Sequence, residues 1–241
     1  MTKKIFVDVI IPVYNEESAL NKNILILKNF LEINLKQKFK IIIVDNASID
    51  NTSKIGKNLA KKFIDIEYIY LGKKGRGGAL RYAWMKSKAD IVSYMDVDLS
   101  TDLKSFPIMI SALISKFDLA SGSRLVRGAR IKRSFKRELL SRIYNLLLRM
   151  VLLVNFKDAQ CGFKAARINV AKDIIPRTKD NNWFFDSELM IVAEKKGYKI
   201  IEIPVNWIED PDSKVNLVKT SLQYLKGIVD MRLRLWRKKF I

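Results

Sequence analysis

Residues 90–102 read DIVSYMDVDLSTD, an apolar run followed at once by closely spaced carboxylates. The run Asp90–Met95 is typical of a buried strand. In an extended backbone, residues two apart point the same way, so Asp96 and Asp98 can face one site at the end of this strand. Two carboxylates so close are unfavourable unless a cation lies between them. Although the pattern Asp-x-Asp also occurs in solvated loops, its place here predicts a site for a divalent metal ion.

Similar apolar, β-branched runs recur along the chain and alternate with segments of helical length. This alternation predicts an α/β fold in which a mostly parallel central sheet is flanked by helices. The predicted strands are Phe6–Val13, Lys40–Asp45, Ile66–Leu71, Asp90–Met95, Leu119–Ser121 and Lys199–Pro204. The predicted helices are Glu16–Leu35, Asn51–Ile64, Gly77–Lys88, Leu103–Lys116, Phe135–Leu153, Phe185–Lys196 and Val215–Lys239.

The strand ends carry distinctive polar groups, and ligands of open α/β sheets bind beyond the carboxyl ends of strands. The first strand ends in the sequence PVYNE, residues 12–16, and the second ends at Asp45, whose acidic group suits a base or a ribose hydroxyl. Residues 72–79 read GKKGRGGA; the glycines permit close approach of backbone and the cations suit a diphosphate. Taken alone this loop is a weak signal, because Gly-Lys loops are common turns.

The 241 residues carry a formal net charge of +20, and the excess is clustered. Residues 124–149 hold nine Lys or Arg against Glu138 alone, and residues 214–241 hold eight against Asp230 alone. Such clusters favour phosphate, anionic lipid or nucleic acid as a partner, although a solvated basic surface gives the same pattern. The absence of histidine leaves acid–base work to carboxylates, and the single Cys161 fits a reducing compartment.

The ordered motifs resemble the inverting family 2 glycosyltransferases of GT-A fold, a Rossmann-like α/β architecture. The first-half motifs PVYNE, Asp45, KKGRGGA and Asp96-Val-Asp98 resemble the nucleotide-sugar half of that family. The second-half motifs DAQCGFK (158–164), WFFDSEL (183–189) and VNWIEDPDSK (205–214) are similar to those of dolichyl-phosphate glucosyltransferases. Residues 122–124 and 135–141 resemble segments of dolichyl-phosphate mannose synthases. The resemblance covers about residues 6–234.

The resemblance implies a role for each matching position. Asp96 and Asp98 would hold Mg²⁺ or Mn²⁺ on the diphosphate, and Asp98 and Asp186 would act in catalysis, with Asp186 near the place of the family's base. The nucleotide-sugar pocket would be formed by Pro12, Tyr14, Glu16, Asp45, Lys74, Arg76 and Asp96. The lipid phosphate would meet Arg124, Arg137 and Lys214. The sequence departs from the family pattern at two places. Residues 73–76 read KKGR where the family has NRGK, and residues 211–214 read PDSK where the family has PGSK.

The resemblance implies one domain over residues 1–241, with a nucleotide-sugar-binding half at about 1–122, an acceptor half at about 123–214 and a basic, amphipathic, helical extension after 215. The implied reaction is transfer of a hexose, glucose from UDP-glucose before mannose from GDP-mannose, onto dolichyl or polyprenyl phosphate. A lipid phosphate is already anionic, so it can attack without a strong base; Asp186 then orients the site. The same motifs also allow a soluble acceptor, in which case Asp186 is the base.

Two further hypotheses compete with a transferase. A nucleic-acid-binding module would explain the arginines but not the ordered strand-end motifs, so we expect no nucleic-acid partner. A platform without catalysis is disfavoured by the intact Asp96 and Asp98.

The last segment carries one apolar stripe at helical spacing, which is typical of core packing and also of membrane contact. The stripe is formed by Val218, Leu222, Leu225, Val229, Leu233 and Trp236, with Lys219, Lys226, Arg234, Arg237 and Lys238 mostly at its flanks and end. We expect neither a signal peptide nor a spanning helix. The lipid acceptor therefore favours peripheral association with the anionic cytoplasmic face of a membrane, or recruitment by a membrane-protein partner.

Overall fold

The computed structural model describes residues 4–209 and 217–237. Its strands are β1 (Phe6–Val13), β2 (Lys38–Asn46), β3 (Ile66–Leu71), β4 (Ile91–Tyr94), β5 (Leu119–Ser123), β6 (Arg130–Lys132), β7 (Lys164–Arg167), β8 (Ile200–Pro204) and β9 (Asn206–Ile208). Its helices are α1 (Leu20–Asn34), α2 (Thr52–Lys62), α3 (Arg76–Lys86), α4 (Ser105–Ser115), α5 (Phe135–Leu152), α6 (Ile168–Ile174), α7 (Phe185–Lys195) and α8 (Leu217–Trp236).

Seven strands form one sheet in the order β3-β2-β1-β4-β7-β5-β8, and β6 pairs with β9 in a small second sheet. All pairings in the large sheet are parallel except those of β7, which runs antiparallel to β4 and β5. The sheet confirms the predicted α/β fold. The parallel strands β1, β2 and β4 end at one edge, and the antiparallel β7 begins there, with Lys164 opposite Tyr94.

Successive residues of a strand point to opposite faces of the sheet, and here both faces are covered by helices. Val7, Val9 and Ile11 of β1 face a core that is shared with α1, α2 and α4. Ile10 faces the other core, which contains α3 and α5 to α8, with Ile228 and Met231 contributed by α8. The predicted helix starting at Glu16 begins instead at Leu20, because the preceding turn is tied to the start of α2.

The glycine-rich loop before α3 packs closely against the turn that precedes α7. Gly75 has a φ of +151°, and a Cβ there would lie 2.7 Å from the carbonyl oxygen of Asn181. A Cβ on Gly77 would lie 2.6 Å from Cβ of Phe185 and 2.9 Å from the carbonyl carbon of Asn181. The backbone N–H of Gly78 donates to the Asn181 carbonyl over 3.1 Å. These glycines therefore permit two backbone segments to meet, a role distinct from approach to a diphosphate.

We predict that Gly77→Ala destabilises the protein by about 1–3 kcal/mol, because the added methyl group forces two backbone segments apart. This cost outweighs the gain of up to ~1 kcal/mol that alanine brings to a helix. Gly72→Ala is the matched control, since a Cβ there meets nothing within 4 Å. Urea unfolding measures both variants; equal free energies of unfolding for the two would contradict the close packing.

Candidate active site

Arg76 joins two carboxylates at the sheet edge where β1, β2 and β4 end. It is the first residue of α3, Asp96 follows β4, and Asp186 lies in the first turn of α7. Its Nε and Nη2 donate to Oδ1 of Asp96 over 3.0 and 2.7 Å, and its Nη1 donates to Oδ2 of Asp186 over 2.7 Å. The guanidinium also lies over the rings of Tyr94 and Trp183, 5.4 and 5.5 Å from their centroids. Burial opposes the charge of Arg76, but Asp186 and Asp96 raise its pKa overall.

Asp186 is enclosed on its other side as well. The hydroxyl of Tyr94 donates to Oδ1 of Asp186, and the ammonium of Lys164 lies 3.8 Å from the same oxygen. The Asp186 side chain is only 5% exposed, so water has little access to it. Both carboxylate oxygens are thus directed at donors that belong to the protein. This arrangement fits a residue that orients cations better than one that accepts a proton from a substrate.

Lys164 is a site residue that the sequence interpretation missed. Its side chain is fully buried, and its ammonium donates to the carbonyl oxygens of Ala159 and Cys161. The motif DAQCGFK contained the residue, but a lysine inside a four-residue strand resembles a solvent-facing one in sequence. Its burial beside Asp186 ties residues 159–161 to the site.

Asp96 and Asp98 provide the donor set that a hard divalent cation prefers. The Asp96 side chain is 44% exposed, and Asp98 is exposed in the turn that follows, where its Oδ1 accepts the N–H of Ser100. Partial burial raises the pKa of the Asp96 carboxyl; the charge of Arg76 acts in the opposite direction, and the charges of Asp98 and Asp186 raise it further. The Arg76 contact leaves uncompensated negative charge at this edge, which a cation would stabilise.

These carboxylates therefore fit Mg²⁺ or Mn²⁺, which bind through one or two carboxylates together with substrate phosphates and water. Within residues 4–209 and 217–237, no group of three or more acidic, cysteine or histidine side chains is arranged to hold a metal. The remaining ligands of a cation at Asp96 and Asp98 would then come from a diphosphate and water.

The predicted nucleotide residues lie at the ends of β1 and β2, with differing access. Asp45 is fully buried; its Oδ1 accepts the N–H of Ser48 over 2.8 Å and its Oδ2 accepts the hydroxyl of Tyr68 over 2.7 Å. The exposed ammonium of Lys74 lies 3.7 Å from the ring centroid of Tyr14. The structure thus brings Tyr14 and Lys74 together, and Asp45 contacts the protein through both oxygens.

Two other predicted nucleotide residues have structural roles in this region. Pro12 is buried in β1, opposite Val44 of β2. The backbone N–H of Glu16 donates to the hydroxyl of Thr52 over 2.8 Å, which fixes the turn after β1.

The arginines predicted for the lipid phosphate are engaged by acids of the chain. Arg124 makes a bidentate pair with the fully buried Asp158, with Nε to Oδ2 at 2.8 Å and Nη2 to Oδ1 at 2.9 Å. Although burial acts in the opposite direction, Arg124 lowers the pKa of Asp158 to about 2. Arg137 pairs with Glu209 at 2.5 Å and is partly exposed. Lys214 lies outside the described residues.

A surface pocket opens between the end of β5 and the start of α5, and it includes arginines that the sequence interpretation did not single out. Arg124 and Arg133 lie over the ring of Trp207, 5.5 and 5.8 Å from its centroid. Burial, and next the charge of Arg124, lower the pKa of Arg133. The excess positive charge suits an anion. The pocket is lined by Arg124, Leu125, Val126, Ala129, Ile131, Arg133, Phe135, Glu138 and Arg142.

The chain matches known proteins over most of its length. Residues 8–175 match the family model described as Glycosyl transferase family 2. A dolichyl-phosphate beta-glucosyltransferase of Dictyostelium discoideum is 32% identical over 98% of this chain and 77% of its own length. Glycosyltransferase AglD of Haloferax volcanii is 33% identical over 95% of this chain, which spans only 37% of that protein.

Solved structures share the fold at low sequence identity. Glucosyl-3-phosphoglycerate synthase of Mycobacterium tuberculosis, crystallised with Mn²⁺, UDP-glucose and phosphoglyceric acid, has a TM-score of 0.69 and 15% identity, covering 95% of this chain and 80% of that one. The likeness establishes a common architecture.

We predict that Arg124→Ala destabilises the protein by roughly 3–5 kcal/mol, because Asp158 would stay buried without its cation. In the wild type, the lowered pKa of Asp158 contributes about 2 kcal/mol to the free energy of unfolding. This contribution is fully present above pH 3.8, the ordinary pKa of an aspartate, and it is lost as the pH falls towards 2. Arg137→Ala is the control and should cost at most ~1 kcal/mol, since its pair is partly exposed. Urea unfolding between pH 2.5 and 7 measures the free energy of unfolding of each variant. A similar loss of stability in both variants would refute the structural role of the Arg124–Asp158 pair.

Proposed function

Since the chain belongs to glycosyltransferase family 2, we propose that it is a metal-dependent, inverting glucosyltransferase that transfers glucose from UDP-glucose to dolichyl or polyprenyl phosphate. The relatives named dolichyl-phosphate beta-glucosyltransferases support glucose over mannose and a lipid phosphate over a soluble carbohydrate. Family membership also favours a transferase over the nucleic-acid-binding module considered from the charge alone.

The observation that carries the acceptor class is the enclosure of Asp186. An acceptor hydroxyl needs a base, whereas a phosphate monoester reaches the site already ionised. Asp186 is directed at Arg76, Tyr94 and Lys164, and its side chain is almost fully buried. We infer that it orients these cations and takes no proton from the acceptor. The chemistry then consists of bringing two anions together and stabilising the leaving group.

At the donor end, Asp96 and Asp98 would hold Mg²⁺ or Mn²⁺ against the diphosphate. The bound cation would neutralise the negative charge that develops on the departing nucleoside diphosphate. Arg76 fixes Asp96 for this task. The exposed Lys74 and the partly exposed Tyr14 contact each other beyond the end of β1, where a nucleotide would lie. Both carboxylate oxygens of the buried Asp45 accept hydrogen bonds from the protein, so this residue would shape the base pocket through its neighbours.

At the acceptor end, the lipid phosphate would lie beside the basic pocket at the start of α5. Of the two arginines predicted to bind the lipid phosphate, Arg137 is the more exposed to solvent, and its pair with Glu209 is partly exposed. Arg124, held by Asp158, would contribute the shape of the pocket through its contact with Trp207. Lys214 would add a cation from a segment outside the described residues.

α5 and α8 pack beside each other, and each exposes several large apolar side chains; together these are here called the α5–α8 surface. Other residues of α8 face the interior of the protein and are buried, among them Ile228, Met231 and Arg234. Arg234, which the sequence places at a flank of the stripe, is buried and pairs with Glu188. The exposed members are Phe135, Leu139, Leu140, Ile143, Leu146, Leu147, Met150, Leu222, Leu225, Val229, Leu233 and Trp236. The side chain of Val218 lies outside the described set.

We propose that the α5–α8 surface rests on the cytoplasmic leaflet of a membrane. Among the helices that the structure describes, none combines the length and apolar composition needed to cross a bilayer. The exposed cations Lys136 and Lys226 lie among these apolar residues in the sequences of α5 and α8, and each contributes roughly 1 kcal/mol near an anionic leaflet. This arrangement would bring the pocket at the start of α5 to the depth of a lipid phosphate.

Transfer of radiolabelled glucose from UDP-glucose to polyprenyl phosphate in the presence of Mn²⁺ tests the proposed reaction. We predict that Asp98→Ala lowers the rate on the order of a thousandfold while the melting temperature stays unchanged, because the exposed carboxylate serves the cation and not the core. Wild-type turnover by this variant would refute the metal assignment, and transfer to lipid-free alcohols alone would refute the acceptor assignment.

Sedimentation with liposomes tests the membrane surface. We predict that Leu225→Ser combined with Trp236→Ser weakens binding to anionic vesicles about tenfold or more, because burying each large apolar side chain contributes roughly 1.5–3 kcal/mol. Ile33→Ser on α1, whose side chain is 72% exposed, is the matched control and should bind as the wild type does. Binding should fall with added salt. A wild-type protein that stays in the supernatant with anionic vesicles at low salt would defeat this model.

A further inference from the structure

Arg234 is a buried arginine on a helix whose neighbouring cations are exposed. It is 7% exposed, whereas Arg232 and Arg237 face outward. Its Nη1 donates to Oε1 of Glu188, and its Nη2 donates to the carbonyl oxygen of Arg177. Through this one side chain, α8 is bonded both to α7 and to the segment that precedes α7.

Glu188, which Arg234 neutralises, holds a turn of the backbone with its other oxygen. Its Oε2 accepts the N–H groups of Lys179 and Asp180, both over 2.8 Å, and Glu188 is only 1% exposed. A buried carboxylate in this position depends on its cation, since an unpaired charge would be costly there. The turn at residues 177–182, here called the bracing turn, is therefore fixed from the side of α8.

The opposite side of the bracing turn supports the start of α3. The carbonyl of Asn181 accepts the N–H of Gly78 over 3.1 Å. Arg81 donates through Nη1 to Oδ1 of Asn181 and to the carbonyl of Lys179, over 3.1 and 3.3 Å. Arg76 begins the same helix and holds Asp96. Continuous contacts thus run from Arg234 through Glu188 and the bracing turn to the carboxylate expected to bind the metal.

We propose that Arg234 is a positioning residue through which α8 sets the geometry of Arg76 and Asp96. α8 also forms part of the α5–α8 surface. Contact of that helix with lipid is therefore coupled to the positions of Arg76 and Asp96. The coupling to catalysis rests on the proposed function, whereas the mechanical link from Arg234 to α3 does not. The link assigns Arg234 no contact with any substrate.

Hydrogen exchange followed by mass spectrometry tests the link in the full chain without ligands. Arg234→Met should speed exchange in peptides that cover residues 74–82 and 177–185 about tenfold, because the Gly78 amide and the Glu188-bound amides lose their support. Peptides from β1 and β2 should keep wild-type rates. Arg232→Met, a substitution of the same kind two residues away on the exposed face, should change none of these peptides.

Two further variants keep the test decisive if Arg234→Met fails to fold. Glu188→Gln removes the charge but retains an acceptor for the turn, so its effect should be smaller and confined to the same peptides. Arg234→Lys should restore protection in part, since lysine can reach one partner but not both. Unchanged exchange at 74–82 in folded Arg234→Met or Glu188→Gln would overturn the proposal, as would faster exchange spread evenly over the sheet.

Binding of Mn²⁺ in the presence of UDP, followed by electron paramagnetic resonance, then connects the link to the site. Arg234→Met should weaken Mn²⁺ binding roughly tenfold relative to Arg232→Met, because Asp96 is no longer held in place. Equal Mn²⁺ affinity in the two variants would overturn the coupling to the donor site. If the wild type binds no Mn²⁺ at all, the proposed function fails, while the exchange measurements still decide the mechanical link.

Discussion

The charge of one largely buried guanidinium organises the centre of this protein. Arg76 lies between Asp96, which follows β4, and Asp186, which begins α7, and the two carboxylates come from segments 90 residues apart. Neither carboxylate could be held so close to the other without a cation between them. Lys164 and Tyr94 complete the enclosure of Asp186. The edge of the sheet where β4 ends and the helix α7 are thus joined by electrostatic pairing as well as by apolar packing.

The first half of the fold could be predicted because most of its strands are long and apolar, and β1 and β3 match the predicted ranges. Asp96 and Asp98 follow β4, as the sequence predicted, and their role as metal ligands stays a prediction. The second half was harder. β7 has only four residues and begins with a buried lysine, while β6 and β9 have three residues each, too few to show a period. The grouping of Arg76 with Asp186 depends on how α7 meets α3, which no local pattern encodes.

The net charge of +20 describes the chain as a whole but gives a poor guide to the site. Arg124, Arg137 and Arg234 stand out in the sequence as members of basic clusters, yet each pairs with a carboxylate that is distant along the chain. A charge count cannot distinguish a cation that faces solvent from one that neutralises a buried acid. That distinction decides which arginines can meet an anion and which ones hold the fold together.

The position of β7 has a consequence for the order in which the chain can fold. β5 lies beside β7 and β8, both of which are made later, and β4 keeps one open edge until residues 164–167 arrive. At ribosomal rates of roughly 5–20 residues per second, that edge is unpaired for several seconds during synthesis. An unpaired apolar edge invites wrong pairing, and β5 is the next strand to be made after β4. The brevity of β4 and the small, polar sequence LASGS of β5 limit that competing pairing until the native neighbour is available.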